Sequence, residues 1–349
     1  MGDVGNTTPS PLLVYKFQRA WIRLTSIISI RFFYCSHQLI KALNFKLGVP
    51  MSIKHPVVAV TGSSGAGTTF VKRAFENIFR REGINPAIVE GDSFHSLSRV
   101  EFGEEVKKAE AVGNGNFSHF GPEANDFAAL EATFKAYGET GVGKKRYYLH
   151  NDDEAVEQNA RLGCNKTSGE FAPWEDIEAG SDLLFYEGLH GLAADEKQGV
   201  DTSQFVDLGV GVVPSVNLEW IQKIHRDHAE RGYDAEVTVD TILRRMPDYV
   251  NYIAPQFSRT DVNFQRVPTV DTSNPFIARD IPTADESFVI IRFSDPQKFC
   301  IDFPYLLNML HDSFMTRRNT IVIPGGKMSM AMEIILAPII HRFIEASRK

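Results

Sequence analysis

The chain has 349 residues, 43% hydrophobic and 23% charged, with a formal net charge of −7. That composition belongs to a globular protein with room for one large α/β domain or two small ones. No apolar run reaches the length of a membrane span, and an acidic body argues against nucleic acid as the main partner.

The charge is uneven. Residues 1–50 hold six Lys or Arg and a single acid, whereas 51–349 hold 31 bases and 43 acids. Residues 1–50 are also rich in aromatics and lack a helical or strand period. Two readings fit them: translation that starts at Met51, or a targeting segment. No cleavage-like site is evident, which favours the first. The three cysteines, Cys35, Cys164 and Cys300, show neither metal-ligand spacing nor a disulfide framework. A reducing compartment, the cytoplasm, suits them.

From Met51 on, the pattern is α/β. Residues 57–60 read as a buried strand, followed by a Gly-rich loop and a helix over 70–80. A second strand covers 86–89 and ends at Glu90-Gly91-Asp92. Amphipathic helices are expected near 100–111 and 123–137. Strand-like pieces at 146–150 and 169–174, set among polar turns, predict a hairpin excursion from the core. Residues 182–188 form an apolar strand that ends in Glu187, and 205–213 another. Helices follow at 216–231 and 237–252, strands at 289–293 and 320–323, and a long closing helix at 328–347. Strands alternating with helices predict a largely parallel mixed sheet flanked by helices, in one domain over 51–349.

The Gly-rich loop carries the strongest chemical signal. Gly62, Ser63, Ser64, Gly65, Ala66, Gly67, Thr68 and Thr69 have the glycine spacing of a phosphate-binding P-loop in its required strand–loop–helix setting, and Phe70 opens the helix. Glycines let backbone N–H groups converge on phosphate oxygens, and the helix N-terminus adds its dipole. Threonine stands where such loops carry lysine. A triphosphate still needs a cation there, so another residue must supply it.

Ligands of parallel sheets gather at the strands' carboxyl ends. Glu187 ends its strand in the position expected for a magnesium-associated carboxylate, with the Thr69 hydroxyl as a second hard oxygen ligand. Asp92 reads either as a turn or cap residue or as a general base that takes the proton of an attacking hydroxyl. His95 and Arg99 follow within one short loop and suit an anionic substrate, Arg99 through its planar fork. The densest cation cluster spans 223–233. It reads as a solvated helix face or, given the missing lysine, as the source of Lys223 and Arg226 for the ATP phosphates, carried on a mobile lid. His225 and His228 lack a third ligand nearby and read as surface histidines.

These stretches carry a resemblance. Residues 62–68 (GSSGAGT), 90–95 (EGDSFH), 117–120 (FSHF), 185–191 (FYEGLHG), 217–227 (NLEWIQKIHRD) and 271–279 (DTSNPFIAR) together resemble the bacterial type of phosphoribulokinase, which also has threonine in place of the P-loop lysine. The resemblance implies a P-loop kinase fold and transfer of the γ-phosphoryl group of ATP, with Mg2+, to the 1-hydroxyl of ribulose 5-phosphate. By matching position it implies Asp92 as base, Glu187 as the metal carboxylate, and His95, Arg99 and Arg231 as sugar-phosphate contacts. It places Lys223 and Arg226 on the ATP phosphates. Arg244 and Arg245 match positions of allosteric response, with NADH as activator, in large homo-oligomers that are often octamers. Asp234 departs from the family's Ser or Thr, and residues 1–50 match nothing in it. Two rivals stand beside this reading. A uridine-kinase-like enzyme would need an aromatic pocket for a base. A silent nucleotide-binding regulator would have no use for Asp92, Glu187, Lys223 and the arginines.

Overall fold

The computed structural model describes residues 54–63 and 68–348. The expectations for residues 1–50 and for Ser64, Gly65, Ala66 and Gly67 lie outside the described residues, as do the side chains of Thr68, Thr69, Phe70 and Arg231.

Strand β1 (Val57–Gly62) leads to helix α1 (Thr68–Glu82). Strand β2 (Pro86–Glu90) runs into a 3-10 turn at Gly91–Phe94, then α2 (Arg99–Ala111) and α3 (Phe127–Thr140). The excursion contains β3 (Lys144–Lys145), α4 (Asp152–Leu162) and β4 (Glu175–Asp176). Next come β5 (Leu183–Gly188), the short β6 (Ala194–Asp195) and β7 (Val200–Asp201), then β8 (Leu208–Val212). Helices α5 (Val216–Arg231) and α6 (Ala235–Asp248) precede β9 (Val262–Pro268) and β10 (Ser287–Phe293). Helix α7 (Phe303–Met309), β11 (Phe314–Arg317), β12 (Thr320–Pro324) and α8 (Met328–Ser347) close the chain.

The main sheet has eight strands in the order β11-β12-β10-β9-β8-β1-β5-β2. Neighbours from β2 to β9 are parallel, and β10, β12 and β11 add on antiparallel. The largely parallel mixed sheet expected from the sequence is therefore present. Strand β1 is buried along its whole length. Its side chains alternate between the two faces, as period-2 geometry requires. Val58 and Val60 join Phe75 and Ile78 of α1 and Ile335, Ile339 and Ile340 of α8 in one core. Val57 and Ala59 join Leu130, Phe134 and Tyr137 of α3 in the other.

Several boundaries move. The helix expected from 123 starts at Phe127, because the Asp126 side chain caps Ala129 N–H, and it stops at Gly141 with φ +72°, a left-handed cap. The helix expected over 237–252 is α6 from Ala235 to Asp248, then a π turn at Tyr249–Ile253. Pro247 supplies no N–H to the helical ladder, and Ala254 N–H bonds Tyr249 O five residues back. Asp234 takes the N-cap position of α6, where Ser, Thr and Asp are all favoured, though its side chain makes no capping bond. The excursion is an antiparallel hairpin, as expected: Lys144–Lys145 pair with Glu175–Asp176, and Tyr148 bridges Phe171.

Candidate active site

Strands β1, β5 and β2 lie side by side, with Val60 in register with Glu187 and Glu187 in register with Glu90. The carboxyl ends of the three strands therefore stand together. At the crossing, Gly91 and Gly188 touch backbone to backbone. A Cβ on Gly91 would come within 2.7 Å of Gly188 Cα and 2.6 Å of the Tyr186 hydroxyl. Only glycine fits there. This contact brings the turn that carries Asp92 against the end of the strand that carries Glu187.

The Asp92 carboxylate is held between two imidazoles. His95 Nε2 lies 3.3 Å from Oδ1 and His150 Nε2 lies 3.0 Å from Oδ2. His95 is buried, and its Nδ1 is 2.7 Å from Asn125 Oδ1. Asn125 donates its own amide hydrogens to the His119 and Gly121 carbonyls, at 2.9 and 2.6 Å. Its oxygen must therefore accept from His95 Nδ1–H, which leaves Nε2 to donate to Asp92. Both ring nitrogens carrying hydrogen means an imidazolium. Burial opposes that charge, but the hydrogen bond and attraction from Asp92 outweigh it and raise the His95 pKa. Burial likewise opposes ionisation of Asp92. The hydrogen bond from His95, with the attraction of its charge, more than offsets it and holds the carboxyl well below the usual carboxylate range.

Behind this pair the site stays neutral. His119 stacks on Phe102 with ring centroids 3.6 Å apart. Burial, then the nearby His95 and Arg245 charges, push its pKa well down. Burial pushes His190 down to about 3. Arg99 sits at the start of α2, where Ser98 and Glu101 form a reciprocal capping box. Its Nη2 donates to His150 O at 2.9 Å, so Arg99 and His150 are linked on the exposed side of Asp92.

The cation cluster departs from the solvated-face reading at its centre. Lys223 is 5% exposed, inside α5. Its ammonium pairs with Asp227, one turn on and 3% exposed. Arg226 donates Nη2 and Nε to the same carboxylate at 2.9 and 3.1 Å. One buried acid thus holds both cations. Burial, then repulsion from Arg245, lowers Lys223 to about 8 despite the pull of Asp227. His225 Nε2 is 3.0 Å from Ala278 O, and His228 is exposed.

Glu219 joins this cluster to β1. It is 5% exposed and accepts a hydrogen bond from Ser63 at the end of the strand, and a long one from the Tyr249 hydroxyl at 3.4 Å. Burial raises its pKa to about 7 against these bonds and the attraction of Lys223 and Arg245. The folded protein binds this proton more tightly than the unfolded chain, where the carboxyl titrates near its ordinary 4.5. Stability therefore falls as pH rises from about 4.5 through about 7. Glu219→Gln should flatten that slope by on the order of 3 kcal/mol. Melting temperatures between pH 4.5 and 8 measure it, and an unchanged slope would mean Glu219 is already ionised in the folded state.

Arg244 and Arg245 part company. Arg244 faces α2, with Nη1 3.9 Å from Glu110. Arg245 lies over the Phe120 ring at 5.2 Å and lines one cavity with Glu219, Lys223 and Tyr249. It acts electrostatically on Lys223, His95 and His119.

The structure thus brings together Asp92, His95, Arg99 and Glu187, and joins Lys223 and Arg226 to Ser63 through Glu219. Sequence reasoning missed His150, Asn125, Glu219 and the anchoring role of Asp227. Asp227, four residues after Lys223 and one after Arg226, carried a legible signal. His150 is a lone histidine 58 positions from Asp92 and carried none.

Comparison with known proteins agrees with the geometry. Residues 57–273 match the model of the phosphoribulokinase / uridine kinase family. The chain is 57% identical over 299 residues to a chromosomal phosphoribulokinase of Cupriavidus necator, covering 86% of this chain and 99% of that one. It is 54% identical over 298 residues to phosphoribulokinase 1 of Cereibacter sphaeroides, covering 85% and 99%. A solved phosphoribulokinase structure from Rhodobacter spheroides superposes with a TM-score of 0.75 at 51% identity, covering 85% of this chain and all of that one. The chain is a kinase that belongs to the phosphoribulokinase / uridine kinase family.

Proposed function

We propose that the chain transfers the γ-phosphoryl group of ATP to the 1-hydroxyl of D-ribulose 5-phosphate, giving ribulose 1,5-bisphosphate, the carbon dioxide acceptor of the reductive pentose phosphate cycle. The observation that carries the reading is the carboxylate of Asp92 set between His95 and His150, with Arg99 tied to His150. A carboxylate ringed by cationic and hydrogen-bonding groups suits a hydroxyl on a phosphorylated sugar. The 54–57% identity to phosphoribulokinases supports the same substrate.

In this reading Asp92 is the base. Its low pKa keeps it ionised at every working pH. A weak base suffices, because in a loose phosphoryl transfer the attacking hydroxyl becomes strongly acidic only as the new P–O bond forms. His95, Arg99 and Arg231 hold the sugar phosphate. Lys223 and Arg226 supply the positive charge that Thr68 and its neighbours in the loop cannot. Gly62 to Phe70 cradle the ATP phosphates.

The half-buried Glu187 carboxylate, at the strand end beside β1, is a hard oxygen donor of the kind Mg2+ prefers. Glu187 and Thr69 would hold the ion, which when bound neutralises charge on the β- and γ-phosphates. Activation by NADH through Arg244 and Arg245, a cytoplasmic location and a homo-octameric assembly complete the proposal. So does a kinase body that spans residues 51–349.

The test is an initial-rate assay coupled to ADP release, with ribulose 5-phosphate or uridine as acceptor, with and without NADH. Turnover of ribulose 5-phosphate, and none of uridine, is expected. ATP binding without transfer to either would favour a regulator. Arg99→Ala should raise the Michaelis constant for ribulose 5-phosphate at least tenfold with little change in maximal rate, because it removes binding to a group that does not react. An unchanged constant would move the phosphate site elsewhere.

A further inference from the structure

The hairpin excursion touches the catalytic turn at a second place besides His150. Arg146, just beyond β3, is half-buried. Its Nε donates to Ser93 O and its Nη2 to His95 O, both at 2.7 Å. The contact is returned: Ser93 Oγ donates to Arg146 O at 2.5 Å. The guanidinium also lies over two aromatic rings, 3.8 Å from the centroid of Phe171 and 4.6 Å from that of Trp174. Trp174 packs in turn on Phe94 of the turn.

A one-turn helix has no following turn to satisfy its last carbonyls. Here Phe94 O accepts from Asp126 N–H at 2.8 Å. The carbonyls on either side of it go to Arg146. All three backbone oxygens after Asp92 are therefore held, two of them by one rigid planar group. Asp92 has little freedom, and its distances to His95 and His150 follow from that.

We propose that Arg146 is a positioning residue for the phosphoryl transfer: its guanidinium, seated on Phe171 and Trp174, clamps the 91–95 turn through the Ser93 and His95 carbonyls and so sets where the Asp92 carboxylate points. This rests on the reading of Asp92 as the base. Lysine cannot substitute, since an ammonium is a point charge that lacks the fork needed to reach both carbonyls from one side. Arg146 touches neither substrate nor nucleotide in this scheme. It acts through Asp92.

Arg146→Lys keeps the charge and loses the fork. The expected result is a fall in kcat of roughly 10- to 100-fold, the usual consequence of about 1 Å of misplacement. The Michaelis constant for ATP should stay within about twofold, since the nucleotide is bound elsewhere. The decisive measurement is the same substitution in an Asp92→Asn background. If Arg146 works through Asp92, it has nothing left to position there, and the second change should alter residual kcat by less than about twofold. Multiplying losses in the double variant, or an Arg146→Lys kcat within twofold of the parent, overturns the proposal. Should Arg146→Lys fail to fold, Trp174→Leu removes one wall of the seat at a half-exposed position. It should lower kcat by about three- to tenfold in the parent and not in the Asp92→Asn background. Equal losses in both would again overturn it. Failure of the base assignment itself is separable, because Asp92→Asn alone would then retain nearly full activity.

Discussion

Asp92→Asn should lower kcat for ribulose 5-phosphate by about 10²- to 10⁴-fold, the range of a general-base contribution, and leave the Michaelis constant for ATP nearly unchanged. Asparagine keeps the shape of the side chain and an oxygen that can accept from His95, so the turn need not move. What disappears is the group able to take the hydroxyl proton. The change also strips His95 of the partner that sustains its charge. His95 is buried, and its pKa is raised chiefly by the Asp92 hydrogen bond against the cost of burial. In the variant the imidazole should titrate lower, which NMR of the ring resonances reads directly. Activity within about threefold of the parent would show that Asp92 is not the base.

The second large effect belongs to Asp227. A single carboxylate, 3% exposed, holds both Lys223 and Arg226. Removing one partner of a buried ion pair leaves an uncompensated charge, which typically costs about 3–5 kcal/mol. Asp227→Asn should lower stability on that scale. Lys223, already pushed down to about 8 by burial and Arg245, would then lose its main support for the charged form. The cation intended for the ATP phosphates would then lose its proton more readily and both cations their anchor, and kcat should fall by about two orders of magnitude. Denaturant unfolding and steady-state rates at pH 6.5 and 8 measure both consequences. A variant of unchanged stability would mean that Lys223 finds another partner.

The sheet was legible in the sequence wherever a strand is a nearly unbroken apolar run. The runs before Gly62, Glu90 and Gly188 are of that kind, even in the half-exposed edge strand β2, and each leads into the site. Strand β9 was not legible. Its sequence, VNFQRVP, mixes polar residues into the middle of the sheet. Asn263 is tolerated there because it donates to Phe257 O and its oxygen accepts from Thr260, contacts that only the folded chain supplies. Helix α4 was hidden for the opposite reason. It is polar, with Ala155 its one fully buried residue, so it has no apolar stripe to read. In the fold Asn151 caps its start and Gly163, at φ +64°, ends it.

The site divides along the same line. Asp92, His95 and Arg99 fall within eight residues, and Glu187 ends a strand, so local spacing and topology find them. His150 and Arg146 lie on the hairpin, more than fifty positions from the turn they contact. Nothing local distinguishes them from other polar residues of that segment. Nothing in the local sequence distinguishes Glu219 from a surface acid of helix α5. Only its burial beside Ser63 and Lys223 shows otherwise.

The most direct measurement is the identity of the product. ATP labelled in its γ-phosphoryl group is incubated with Mg2+, ribulose 5-phosphate and uridine together, and the phosphorylated products are resolved by phosphorus NMR. The account predicts that the label appears on the 1-oxygen of the pentulose phosphate and nowhere else. Label in uridine 5′-phosphate, or release as inorganic phosphate alone, would contradict it.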